Sequence, residues 1–244
     1  MAKEIRRTKT GIEGLDSMLG GGIPTGRIVM VAGGPGAGKT TLAIQFLANG
    51  IRMYGENGLF VSLDEPMERI FEYAGYYGWD LEGPYRDGRL AFLDASPYTM
   101  AEKVDLKKLV QMIKDRARSS KAKRISIDPL AALTIQYLDP IQRRGAILEL
   151  FKGLRETGAT CIITNEVRFG QNRSVLLEEY LADGVIILQS SQVDRWRIRT
   201  IEVEKMRGTA IDDQMRPYVI TENGFSVISE KDIFTFAAGL LMKK

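Results

Sequence analysis

The octapeptide GGPGAGKT, residues 33–40, lies between the apolar run RIVMVAG (27–33) and the stretch KTTLAIQFLANGIRMYG (39–55), which is patterned as a helix. It fills every required position of G-x-x-x-x-G-K-[ST], and that pattern is meaningful only between a strand and a helix. Glycines let the backbone curl so that successive N–H groups point inward at phosphate oxygens, and the helix N-terminus adds positive potential there. A Gly-rich turn that merely caps a helix is the bland alternative; the filled motif and its flanks on both sides argue against it. The expected cradle is Gly33, Gly34, Pro35, Gly36, Ala37, Gly38, Lys39, Thr40 and Thr41. Lys39 is expected to bridge the β- and γ-phosphates, and the Thr40 hydroxyl to hold Mg²⁺.

The rest of the chain repeats the strand–helix alternation. GLFVSLD (58–64), LAFLDA (90–95), RISIDPL (124–130), ATCIITNEV and GVIILQ read as buried strands. PMERIFEYAGYYG (66–78), residues 101–120 and IQRRGAILELFKGLRETG (141–158) read as helices, with Val104, Leu109, Met112 and Ile113 on one face of the second. Continuous apolar strands joined by helices predict a mainly parallel central sheet flanked by helices. From residue 195 the pattern changes to period two, and YVITENGFSVI carries Asn-Gly between strand-like runs, so the end reads as an antiparallel hairpin. No linker or repeat divides the sequence, and residues 1–244 are expected to form a single α/β domain.

Composition narrows the chemistry. The sequence has no histidine, which removes Ser-His-Asp triads, Cys-His pairs and histidine-bearing zinc sites. Cys161, the only cysteine, lies in an apolar run and reads as a reduced core residue. A net charge of +3 does not itself imply a nucleic-acid or membrane partner. No apolar run reaches the roughly 18 residues of a membrane span, and the N-terminus lacks a signal-peptide core, so a cytoplasmic protein is expected.

Two further features suit phosphate chemistry. Asp128 ends the apolar strand RISID, which carries it to the sheet edge where ligands bind, and it is the best candidate for the metal's second protein contact. Asp64 and Glu65 follow the second strand, expected beside the cradle, where one acid can orient and deprotonate a water. The alternative is that Glu65-Pro66 simply opens the next helix, where acids suit the dipole.

With these pieces in place the chain resembles the KaiC-like branch of the RecA superfamily of ATPases. The resemblance spans nearly the whole sequence, through TGIEGLDSMLGGGIPTGRIVMVAGGPGAGKTTL, FVSLDEP, SIDPL, GATCIITNE, LADGVIIL and KMRGT followed by YVITENGFSV. It implies a RecA-like P-loop fold, ATP and Mg²⁺ as ligands, and a six-membered homo-oligomeric ring with ATP bound between subunits. In the family a Lys-x-Arg pair reaches the γ-phosphate held by the adjacent subunit; here that pair is Lys205 and Arg207. Regular alternation would put both cations on one strand face and Glu202, Glu204 and Met206 on the other. Two departures stand out. Asp64 replaces the first Glu of the usual Glu-Glu pair, and Pro129 replaces the usual Ser; together they predict slow turnover. With a single ATPase unit expected over residues 1–244, the resemblance is not expected to extend to clock-type autophosphorylation.

Weaker signals set the alternatives. Arg168, Phe169 and Arg173 in VRFGQNRS are of a kind that can stack a base and contact phosphate, which would suit a single-stranded-DNA-binding relative of RecA. Such loops are more often solvated connections, so nucleic acid is the less favoured partner. The closing stretch DIFTFAAGLLMKK is expected to pack on the domain or a neighbour, and the aromatics of 72–80 read as helix-end core packing, leaving adenine unassigned. The favoured expectation is a Mg²⁺-dependent ATPase ring coupling nucleotide state to an unknown regulatory protein partner. A nucleotide-gated interaction module with negligible turnover is the third reading.

Overall fold

The computed structural model describes residues 5–96, 105–167, 175–193 and 196–229. Residues 101–104 of the predicted third helix, the basic loop with Arg168, Phe169 and Arg173, and the closing apolar stretch lie outside them.

Among the described residues one nine-stranded sheet organises the chain. Its strands are β3 (Ile28–Gly33), β4 (Gly58–Ser62), β5 (Leu90–Asp94), β6 (Arg124–Asp128), β7 (Thr160–Glu166), β8 (Gly184–Val193), β9 (Trp196–Met206), β10 (Arg216–Thr221) and β11 (Gly224–Val227). A small antiparallel pair, β1 (Arg7–Thr8) and β2 (Ile23–Pro24), precedes it. The sheet order is β11-β10-β9-β8-β3-β7-β6-β4-β5. Contacts from β8 through β5 are parallel, and β8-β9, β9-β10 and β10-β11 are antiparallel. The mainly parallel sheet with a C-terminal antiparallel hairpin is thus as the sequence predicts.

Strand alternation builds two core layers. Val29, Val31, Ile162, Ile186 and Leu188 face α2 (Lys39–Tyr54) and α3 (Met67–Tyr76). Ile28, Met30, Cys161, Ile163 and Val185 face two later helices, Leu106–Ser119 and Pro140–Thr157. We label the described helices α1 (Leu15–Met18), α2, α3, α4 (Glu82–Arg86), α5 (Leu106–Ser119), α6 (Leu130–Thr134), α7 (Pro140–Thr157) and α8 (Leu177–Leu181). Side-chain caps set two helix starts: Asp105 accepts from Lys108 N at α5, and Asp139 accepts from Gln142 N at α7, where Pro140 occupies the first turn. The strand RISID stops at Asp128 because Pro129 has no N–H to continue the ladder, and α6 begins at Leu130.

Two expectations need correction. The strand before Asp64 and Glu65 is not beside the cradle: β3 pairs with β7 and β8, while β4 lies between β6 and β5. Chain order does not reveal this, because each parallel crossover can insert its strand elsewhere in the sheet. Nor does strict alternation run through β9. A register shift between Val185 and Ile186 leaves Glu204 as an extra residue, so Ile201, Val203 and Met206 share one core layer. The bulge therefore moves Glu202 to the face that carries Lys205 and Arg207.

Candidate functional site

The β3–α2 turn has the geometry that its glycines require. Gly36 and Gly38 have φ of +71° and +85°, values that residues with a Cβ seldom adopt. A Cβ on Gly38 would also lie 2.3 Å from Ile220 Cδ1 of β10. Lys39 is buried, and its Nζ donates to the carbonyls of Gly33 and Gly34, each at 3.0 Å. Burial lowers its pKa from the ordinary lysine value, and Glu166 and Asp128 oppose that shift. Glu166, exposed at the end of β7 opposite Gly33, is an acid the sequence reading left without a role.

Thr40 and Asp128 meet as expected. Thr40 Oγ1 donates to Asp128 Oδ2 at 2.8 Å, and Thr164 Oγ1 donates to the other carboxylate oxygen. Burial raises the Asp128 pKa, while the hydrogen bonds from Thr164 and Thr40 and the charge of Lys39 act against it. Among the described residues no group of three or more His, Cys, Asp and Glu could hold a metal by itself. One hydroxyl and one carboxylate suit instead a Mg²⁺ that arrives on phosphates and keeps several waters.

Asp64 and Glu65 sit in the turn after β4, at the same sheet edge as Asp128. Asp64 is exposed. Glu65 is half-buried, and Ser62 fixes its backbone: the Ser62 hydroxyl donates to Glu65 O and accepts from Glu65 N. Glu65 Oε2 is buried without a hydrogen-bond partner, as are Asn165 Nδ2 at the end of β7 and Arg199 Nε on β9. Buried polar atoms are rarely left unmatched, and these three flank the cradle, which fits a polar, multiply charged ligand.

Above the cradle lies a cavity of about 550 Å³ lined by P-loop residues, by Tyr73, Tyr76 and Tyr77 of the α3 end, and by Arg199, Ile220, Thr221 and Glu222. The aromatic cluster read as core packing therefore also lines this cavity. Tyr77 stacks on Trp79 with centroids 4.6 Å apart, which is the packing role; Tyr76, 75% exposed, packs edge-on against Tyr77. The hairpin β10–β11 closes the other side. Tyr218 OH donates to Ala37 O at 2.7 Å within the cradle, and Gln45 of α2 exchanges two hydrogen bonds with the Phe225 backbone. The Asn-Gly turn was legible; that the hairpin folds over the phosphate loop was not.

Lys205 and Arg207 lie elsewhere. Lys205 pairs with Val185, which pairs with Met30, three residues before Gly33; that is about 10 Å back along the strands. Arg207 is farther back, its N–H donating to Asp183 O, and Asp183 N–H donates to Ile28 O. Met206 faces the α2 layer, so its neighbours project from the other face of the sheet. Lys205 Nζ and the Arg207 guanidinium donate to the Tyr180 carbonyl at 3.4 and 2.8 Å, and Lys205 also donates to Glu179 O at 2.9 Å. Arg27, Arg155 and Arg207 all pair loosely with the one buried carboxylate of Asp183, at 3.6–3.9 Å. Burial and then the nearby Arg207 lower the Lys205 pKa. The structure thus separates the late cations from this chain's own cradle by both edge and face.

Strand, Gly-rich loop, helix, paired hydroxyl and carboxylate define a P-loop nucleotide-binding protein. The family described as the KaiC ATPase matches residues 8–232. The circadian clock oscillator protein KaiC of Parathermosynechococcus lividus is 37% identical over 229 residues, covering 91% of this chain and 42% of that protein. KaiC3 of Synechocystis is 37% identical over 232 residues, covering 92% and 46%. The chain therefore spans less than half the length of these curated relatives. A solved KaiC-like protein of Pyrococcus horikoshii superposes with a TM-score of 0.83 at 32% identity, covering 93% of this chain and all of that one. The chain belongs to the KaiC family of ATPases and has its RecA-like fold. Among the described residues, no helix is long and apolar enough to cross a membrane.

Proposed function

We propose that the chain binds Mg²⁺·ATP, hydrolyses it at interfaces between copies in a hexameric ring, and couples nucleotide state to a regulatory protein partner. Lys39 neutralises the β- and γ-phosphates, Thr40 and Asp128 hold the Mg²⁺, and Glu65 orients and deprotonates the water. The base occupies the cavity between Tyr76 and the hairpin. When bound, the metal supplies charge neutralisation across the phosphates. Lys205 and Arg207 of the adjacent copy stabilise the charge that develops on the transferred phosphoryl group.

One observation carries the shared-site reading: Lys205 sits three residues behind its own phosphate loop, Arg207 farther back, and both lie on the opposite sheet face. Glu65 also favours turnover over a merely gated module. The Asp-for-Glu departure falls on exposed Asp64, while the partly buried Glu65 is retained. In the test, Lys205→Ala and Arg207→Ala abolish phosphate release but keep ATP affinity, whereas Lys39→Ala loses both. Loss of ATP affinity in the Arg207→Ala chain at low protein concentration, where copies are apart, would place Arg207 at its own nucleotide and contradict the reading.

A further inference from the structure

Helix α3 borders two hollows. Tyr73, Tyr76 and Tyr77, at and just past its end, line the cavity over the phosphate loop. Its other face borders a groove of about 660 Å³ against α4, floored by the half-buried Met67 and Phe71 and by the exposed Tyr85. Glu68, Phe71, Glu72 and Gly75 recur at helical spacing, so they form one stripe along that groove. Phe71 meets Tyr85 edge-on at 5.7 Å and Phe92 of β5 at 6.1 Å, and Phe92 stacks on Phe60 of β4. The groove floor is thereby packed onto the strand that leads to Asp64 and Glu65.

Two features of the stripe have no use within this chain. Glu68 and Glu72 are exposed, and their side chains make no hydrogen bond or ion pair among the described residues. Like charges four residues apart repel on a helix, so the pair costs stability as it stands. The cation that lines the groove, Arg86, is held by Glu82 at 2.8 Å. Gly75 lies in the last turn of α3 without a positive φ. A Cβ there would meet no atom beyond its own helix within 4 Å. Glycine is a poor helix former, and neither backbone angle nor a close neighbour requires it here; its remaining use is to let something outside the chain approach the backbone.

We propose that the α3–α4 groove is the docking site of the regulatory partner, a protein that presents a basic helix with one apolar face. Its cations pair with Glu68 and Glu72, its apolar face lies on Met67, Phe71 and Tyr85, and its backbone passes closest at Gly75. This gives a chemistry to the partner of the proposed function and rests on that reading for its link to ATP. The link is α3 itself, which carries the groove on one face and the tyrosines of the nucleotide cavity on another. Occupancy of either hollow then biases the other, by the same factor in both directions.

The test uses the full chain and, as probe, a labelled synthetic leucine–lysine amphipathic helix of about 14 residues, with its leucine–glutamate counterpart as control. Fluorescence anisotropy is expected to show saturable binding of the basic helix and none of the acidic one. Glu68→Lys with Glu72→Lys should weaken the basic helix by about 10-fold or more and admit the acidic one. Gly75→Trp, which fills the groove without changing its charge, should weaken the basic helix as much. Both chains should keep wild-type ATP affinity without peptide, and Gly75→Ala should melt no lower than wild type. Mg²⁺·ATP should shift peptide affinity by a few-fold, and peptide should shift ATP affinity by the same factor. No saturable binding, or equal binding by wild type and either groove variant, overturns the site. A lower melt for Gly75→Ala overturns it as well, since this chain would then need the glycine for itself. Self-association of the wild type that the doubly reversed chain loses would give the groove to a second copy and overturn the partner assignment. Peptide affinity indifferent to Mg²⁺·ATP overturns the link through α3. A chain that takes the peptide but no ATP leaves the groove standing and sinks the nucleotide reading.

Discussion

At the scale of single residues, Asp64 and Glu65 are adjacent in sequence but differ in surroundings. Asp64 is solvated, whereas Glu65 is tied at its backbone by Ser62 and buries a carboxylate oxygen. Glu65→Gln should lower phosphate release by about 10²–10⁴-fold with ATP affinity nearly unchanged, while Asp64→Asn should cost little. Equal losses in steady-state assays would refute the assignment. The sequence showed that an acid was present, but two neighbours cannot be ranked without the turn that points one inward. Cys161 gives a separate check. Burial pushes its thiol up to about 12. Between its ordinary value and about 12 the unfolded chain releases the proton and the folded chain keeps it, so stability falls as pH rises through that window. Below the ordinary value the contribution is fully present. The stability advantage of wild type over Cys161→Ala should therefore shrink from about pH 8 to about pH 11, as followed by denaturant titration. A constant difference would contradict it.

At the scale of elements, the C-terminal hairpin forms one wall of the cavity over the phosphate loop. Tyr218 ties β10 to the Ala37 carbonyl, and its ring stacks on Phe225 with centroids 4.4 Å apart. Tyr218→Phe keeps the stack and removes the tie, so unfolding free energy should fall by about 1 kcal/mol and ATP affinity by a few-fold. An unchanged melt and affinity would show that the tie does not matter. On the opposite wall, Tyr76→Ala should weaken ATP by about 10-fold and leave inorganic tripolyphosphate unaffected, because only the base has a ring to stack. Equal weakening of both in calorimetry would move Tyr76 away from the base. The strands and main helices were legible because their apolar periods are clean. Sheet order was not, since β4 reads identically beside the cradle or two strands away. Nor were the tyrosines: Tyr77 does pack against Trp79, and only the fold shows the same cluster facing a cavity. The bulge at Glu204 adds one residue without changing the composition of the strand, so sequence alternation misassigns Glu202.

At the scale of the whole molecule, the chain has two unlike ends. One holds the phosphate cradle, the Thr40–Asp128 pair and Glu65; the other gathers cations around Asp183. The motif at residues 33–40 announced the first end, and the Lys-x-Arg pair gained meaning only when the register placed it at the second. On the proposed reading, a neighbouring copy completes what each end lacks. The direct test mixes two inactive chains, Lys39→Ala and Arg207→Ala, with Mg²⁺·ATP and follows phosphate release. In an equal mixture about one interface in four combines an intact cradle with intact cations, so activity should return to about a quarter of wild type. A mixture that exchanges subunits yet stays as inactive as its components would contradict the shared site.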